Sequence, residues 1–243
     1  MTREVDDRRH PAQRGLISRA LGSVASVAGW LVAALLFSIV IEWAGMLLWW
    51  KDEGSLHSRA MLQQELSYLN EDFRRSAVSS DPARFARRFA DGFYHYLFEW
   101  THLVDFIRWL KQPPRPDESR ILTVLRSAYA QSGEYVLAAM TVTQVFAVRL
   151  AVLTLAMPVF VLFGLVALVD GLVQRDLRRW SGGRESSFVY HHAKKVIFPA
   201  VILAWVVYLG MPTTIHPNYV ILPFAALFAL AMAVAAGSFK KYL

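Results

Sequence analysis

The 243-residue sequence contains no cysteine. That excludes a disulfide framework, a thiolate zinc site and a cysteine nucleophile. Nucleotide-handling motifs are missing too. There is no G-x-x-x-x-G-K-[ST], and Ser181-Gly182-Gly183 has neither a flanking strand nor the lysine that cradles phosphate. No G-x-S-x-G elbow and no H-E-x-x-H is present, so hydrolase and metalloprotease chemistry have no support. An energy source has to come from a partner. Charge is scarce as well: Leu150 to Val169 is twenty residues without one, bounded by Arg149 and Asp170.

What is there is apolar. Hydrophobic residues make up 55% of the chain and mean hydropathy is +0.33, values that suit a membrane protein with a modest soluble part. Leu150–Val169 is long enough to cross a hydrocarbon core of about 30 Å as a helix. Pro158 lies inside it, removes one backbone bond and predicts a kink. Three further spans are expected, at 24–50, 196–211 and 220–239. The fold class is therefore all-α, an integral membrane protein of four transmembrane helices with a helical insertion between the first and second.

Composition sets the rest of the layout. Residues 1–23 form an Arg-rich tail of about twenty polar residues before the first span, which is not the pattern of a cleavable signal. The 51–134 region should be aqueous and helical. Leu62, Leu66, Leu69 and Phe73 mark one amphipathic helix; Asp81-Pro82 opens another, carrying Phe85, Phe89, Phe93, Tyr96, Trp100 and Trp109 until Pro113, Pro114 and Pro116 stop it. Residues 135–173 read as a long helix containing the second span, with Gln131-Ser132-Gly133 as a weak point before it. Residues 174–195 read as a basic loop, 212–219 as a tight turn and 240–243 as the end.

Orientation comes from Lys and Arg. The tail, the 174–195 loop and the C-terminal end hold thirteen between them, against none in the 212–218 turn. The Lys51–Arg149 block has thirteen of its own, but it exceeds the roughly 60 residues over which the rule holds, so the short segments place both termini and the basic loop in the cytoplasm and the 51–134 region in the periplasm.

Four constellations stand out. Arg175, Arg178, Arg179 and Arg184 lie within ten residues and are followed by Phe188, Tyr190, His191 and His192. This set is suited to docking an acidic partner face; direct DNA contact is not expected, and the bland alternative is that the arginines only fix topology. Glu42 is the one acid of the first span and Arg149 borders the second, so a Glu42–Arg149 pair is expected to bridge them. Ala25, Gly29 and Ala33 in the first span, and Ala225, Ala229, Ala233 and Gly237 in the fourth, are small-residue rows at four-residue spacing. Both allow close helix approach, and self-association is compatible with them. His95, Glu99 and His102 would share a helix face and contain an E-x-x-H spacing, but the second such motif of carboxylate-bridged sites is missing, so no metal and no cofactor is expected.

At residues 170–195, DGLVQRDLRRWSGGRESSFVYHHAKK, the chain resembles the integrating conjugative element membrane protein family. The likeness extends to IEWAGMLLWW and HSRAMLQQELSYLNEDF, and to EYVLAAMTVTQVFAVRLAVLTL at 134–155. It departs at Ser181, where glycine is expected. The resemblance implies a four-span bacterial inner-membrane protein of conjugative DNA transfer. It also implies partnership with the coupling ATPase of a type IV secretion channel and with other conjugation membrane proteins. It supplies no catalytic residues. The expected function is a non-enzymatic adaptor for that ATPase. The alternatives are a small transporter or channel, and a surface-exclusion or regulatory membrane protein.

Overall fold

A computed structural model describes residues 16–72, 81–112, 120–181 and 187–239, and every regular element among them is helical. The elements are α1 (Leu16–Leu48), α2 (Ser55–Asp72), α3 (Pro82–Tyr94), α4 (Leu103–Leu110), α5 (Arg120–Trp180), α6 (Ser187–Gly210) and α7 (Pro217–Gly237). Parts of α1, α5, α6 and α7 are long and apolar enough to cross a membrane. Phe73, the proline cluster Pro113, Pro114 and Pro116, and Arg184 lie outside the described residues, as do the tail before Leu16 and residues 240–243.

The central element is α5, 61 residues in one helix and so about 90 Å long. It begins fifteen residues before the long helix expected at 135–173 and ends seven after it. Gly133 does not interrupt it, because one glycine costs only about 1 kcal/mol relative to alanine, too little to break a cooperative helix. The helix also runs through Pro158. Between Met140 and Leu153 every residue except Gln144 is buried, because α1, α2, α3, α6 and α7 all pack against α5.

The region expected as a basic loop is mostly helix. Gln174–Trp180 ends α5 and Ser187–Lys195 begins α6. The expected helix stops at Val173, but hydropathy marks where lipid-compatible side chains end, not where backbone hydrogen bonding ends. Leu, Gln and Arg are good helix formers, and Gln174 donates to Asp170 one turn back at 2.6 Å.

The two small-residue rows have opposite surroundings. In α7, Ala225 and Gly237 are buried and Ala229 and Ala233 half-buried. The facing helix α5 supplies Gly171, where a Cβ would lie 2.5 Å from the Ala233 carbonyl oxygen and 2.7 Å from the Ala236 Cβ. Ala25, Gly29 and Ala33 of α1 are exposed, and no heavy atom comes within 4 Å of a Cβ built on Gly29. The far half of α1 is the part that is held: Ser38 Oγ donates to the Leu209 carbonyl and Trp43 Nε1 to the Tyr135 carbonyl.

In α3 the Asp81 side chain accepts from the Arg84 N–H and Pro82 follows in the first turn, the expected start. Phe85, Phe89 and Phe93 pack inward against the core around α5. The aromatic row does not continue to Trp109 on one face, because the backbone widens into a π-helical turn at His95–Glu99 and His102 adopts a left-handed conformation, φ 56°.

Candidate functional site

The most elaborate polar site is centred on Arg149. Its Nε donates to Glu65 Oε1 at 2.8 Å, and its two terminal nitrogens donate to the carbonyls of Met211 and Thr213 at 2.5 and 2.9 Å. Tyr208 Oη donates to the second Glu65 oxygen at 2.8 Å. Arg149 and Glu65 are 3% and 0% exposed, so this ion pair is desolvated and owes its stability to having its polar atoms matched. Arg149 also lies over the Tyr208 ring, 5.6 Å from its centroid. Three helices and a turn meet here: Glu65 from α2, Arg149 from α5, Tyr208 from α6, and the segment joining α6 to α7. Thr214 Oγ1 donating to Gln64 Oε1 at 2.6 Å, and the Tyr68–His216 ring contact, bind the same turn to α2.

The expected Glu42–Arg149 pair is therefore corrected: Arg149 is paired with Glu65, and Glu42 with His57, whose Nδ1 lies 3.2 Å from both Glu42 oxygens. Glu42 and Arg149 do line one small crevice, together with Ser38, Met61, Phe146 and Met211. The reason is register. Ser38 already reaches the last turn of α6, so Glu42, one turn further along α1, stands level with the α6–α7 turn. His57 stacks on Trp50 with ring centroids 3.9 Å apart. Trp50 in turn folds back over Gly45, where any Cβ would meet the indole at 1.8 Å. These contacts leave Trp50 half-buried, whereas Trp49 is exposed.

Glu65 is a residue that spacing could have revealed. The buried stripe of α2 is Ser55, Ser58, Met61, Glu65 and Leu69, at helical three- and four-residue steps. An acid on the same face as Leu69 demands a cation. Leu62 and Leu66 flank that stripe and are only half-buried. At the start of α2, the Ser55 N–H donates to a Glu134 oxygen from α5 at 3.2 Å, so the cap comes from another helix. Hydrogen bonds from the Ser55 side chain and backbone hold the Glu134 carboxyl below its ordinary range.

The other expected site is at the opposite end of the bundle, where α5, α6 and the end of α7 meet. Arg178 donates to the Gly237 carbonyl and so caps α7. The Arg175 guanidinium carbon lies 5.8 Å from the Phe239 ring centroid, and Tyr190 meets the same ring edge-on at 5.8 Å. His192 Nδ1 lies 2.8 Å from the Phe188 carbonyl oxygen, and its ring meets that of Phe188 at 4.0 Å. Arg179 and His191 are exposed. Trp180 and Phe188 are 91% and 71% exposed. The set of four arginines is thus divided: Arg175 and Arg178 hold α7 in place, Arg179 faces outward, and Arg184 lies outside the described residues.

His95, Glu99 and His102 do not share a face. His95 Nδ1 and Glu99 Oε2 are 2.7 Å apart across the π-helical turn, but His102 is turned away by its left-handed backbone and lies by Asp105 at 3.5 Å. Among the described residues no three His, Asp or Glu side chains gather closely enough to hold a metal ion.

A family model described as IncC plasmid conjugative DNA transfer protein DtrJ-like matches residues 49–240, which cover α2 to α7. No curated protein and no solved structure matches the chain.

Proposed function

Because the chain belongs to the DtrJ-like family of conjugative DNA transfer proteins, we propose that it is a non-enzymatic inner-membrane component of that transfer. In this reading α1, α5, α6 and α7 cross the membrane, both termini and the α5–α6 end are cytoplasmic, and the α2–α4 region is periplasmic. The thirteen-to-none distribution of Lys and Arg supports the orientation. The α5–α6 end then docks the coupling ATPase that delivers DNA to the secretion channel. The link to an integrating element, which the sequence resemblance implies, belongs to the same proposal.

One observation carries the docking surface. Leu177, Trp180 and Phe188 are all exposed where α5 and α6 approach each other, beside Arg179, His191 and Lys195. Apolar side chains flanked by Arg179 and Lys195 fit an acidic protein face with an apolar centre, and tryptophan and arginine are the residue types that dominate such contacts. Arg175 and Arg178 are engaged with α7, so they support the surface and do not form it.

The test is co-purification with the coupling ATPase encoded by the same element. Arg179→Ala/Trp180→Ala should lower recovery at least tenfold and reduce DNA transfer with protein level unchanged. Equal recovery and normal transfer would leave that end a topological device only. Labelling of a cysteine placed at Ser181 from outside the cell would overturn the orientation.

A further inference from the structure

We propose that the end of the bundle where α5, α6 and α7 meet carries a binding site for the phosphate of an anionic phospholipid, held by Arg175 and Lys194. This rests on the four long helices crossing a bilayer, but not on the coupling ATPase.

The site is assembled around two rings. Phe239, just past α7, and Tyr190 of α6 meet edge-on with centroids 5.8 Å apart. The Arg175 guanidinium carbon lies 5.8 Å from the first ring, and the Lys194 Nζ lies 6.0 Å from the second. An aromatic face attracts a cation without using up its hydrogen-bond donors, so it positions the charge and leaves the N–H groups to bond elsewhere. Neither side chain donates a hydrogen bond to a described residue or pairs ionically with one, which separates both from Arg178, bonded to the Gly237 carbonyl.

Charge makes the occupant an anion. Residues 170–181 and 187–195 hold five Lys and Arg (Arg175, Arg178, Arg179, Lys194, Lys195) and two acids, Asp170 and Asp176. Asp170 accepts from Gln174, and neither acid is in an ion pair among the described residues. Three positive charges stay unbalanced when both carboxylates are counted in full. Outside the described residues, Arg184, Lys240 and Lys241 outnumber Glu185.

Depth, and what lies below the cations, make the anion a lipid. On α6, Tyr190, Lys194, Phe198 and Ile202 follow at four-residue steps and share a face, with Phe198 and Ile202 exposed. On α5, Leu172 and Leu168 precede Arg175 by three and seven residues on one face, and both are exposed. Each cation thus stands at the end of an apolar row suited to an acyl chain. Arg175 lies two residues beyond Val173 and Lys194 two before Val196, about 3 Å of helix in each case. That is the level of the headgroups when these spans fill the hydrocarbon core. Basic pockets between spanning helices at the cytoplasmic face are where acidic headgroups bind. A soluble partner meets Trp180 first, five residues and about 8 Å further along α5.

The experiment is native mass spectrometry of the full chain purified in detergent, titrated with phosphatidylglycerol and, separately, with phosphatidylcholine of the same acyl chains. Both lipids carry a phosphodiester, but only the first has a net charge. Phosphatidylglycerol should bind at least tenfold tighter. Arg175→Gln/Lys194→Gln should remove that preference and leave the phosphatidylcholine adducts unchanged. Arg179→Gln/Lys195→Gln deletes the same charge from the outward face and should alter phosphatidylglycerol binding less than twofold. Lys194→Gln alone, at an exposed side chain, should weaken it at least threefold, which keeps the test decisive when the Arg175 variant fails to fold. Equal binding of the two lipids, a preference that persists without Arg175 and Lys194, binding unchanged by Lys194→Gln, or an equal loss in the two double variants would each overturn the proposal. Competition by millimolar inorganic phosphate would make this a soluble-anion site and overturn the lipid assignment. Recovery of the chain without detergent would refute the membrane crossing itself, a result read before any lipid is added.

Discussion

The two regions that grip α5 do so by different physics. Around Arg149 the grip is polar and directional, with a guanidinium, a carboxylate, a phenol and two backbone carbonyls sharing one desolvated space. Around Gly171 it is steric, with one helix laid against another where no side chain intervenes. The first tolerates no missing partner, because whichever charge remains is buried alone. The second tolerates no added atom. Both hold the same helix, so substitutions of opposite kind should loosen it.

The largest effect is expected from Glu65→Ala, which strands Arg149. Loss of one member of a buried pair costs roughly 3–5 kcal/mol, to be measured as a fall in the thermal midpoint of detergent-purified protein. Adding Arg149→Met to that variant should recover part of the loss. If the double variant is as unstable as the sum of the singles, the pair is not coupled. Tyr208→Phe should cost less, about 1.5–3 kcal/mol, since it removes one hydrogen bond to a charged group and leaves the ring in place. Gly171→Val tests the other grip. The added atoms meet the Ala233 backbone, and overpacking of this kind costs about 1–3 kcal/mol. By contrast Gly29→Leu, in the open row of α1, should leave stability unchanged within about 0.5 kcal/mol in the same thermal scan.

The smallest effect is acid-dependent. Glu134 is largely exposed and its folded carboxyl titrates below the ordinary value, so its stabilisation of the α2 start is complete above about pH 4.5 and is lost as pH falls below it. Glu134→Gln should erase that part of the acid dependence and leave stability at pH 7 only slightly lower. A midpoint-against-pH profile identical to that of the parent protein would show that the cap contributes nothing.

The four apolar helices were legible because twenty uncharged residues have few other solutions in water or lipid. The α7 row was legible for a related reason: small residues at four-residue spacing form a groove, and Gly171 fills it. The α1 row has the same spacing and no partner in the chain, so spacing shows that a helix can be approached, not that one approaches it. Matching depth along two spans pairs Arg149 with Glu42, and the two do line one crevice, but Glu65 and two turn carbonyls occupy the guanidinium while His57 takes Glu42. Asking which acid lies on an otherwise apolar stripe would have found Glu65. The outward turn of Trp100 was not legible. A π-helical turn needs one extra residue in the hydrogen-bond ladder, and nothing in FYHYLFEW announces where it is inserted. The division of the arginines was equally hidden, since Arg178 finds a backbone carbonyl 59 residues away.

Synthesis imposes a timetable on the Arg149 clamp. Glu65 emerges first and Arg149 comes 84 residues later, but the two carbonyls that complete its coordination arrive another 62 and 64 residues on. Until the α6–α7 hairpin has been made and packed, the guanidinium holds one ally and two empty positions. The clamp therefore registers completion: only a chain whose final pair of helices has been delivered can close it.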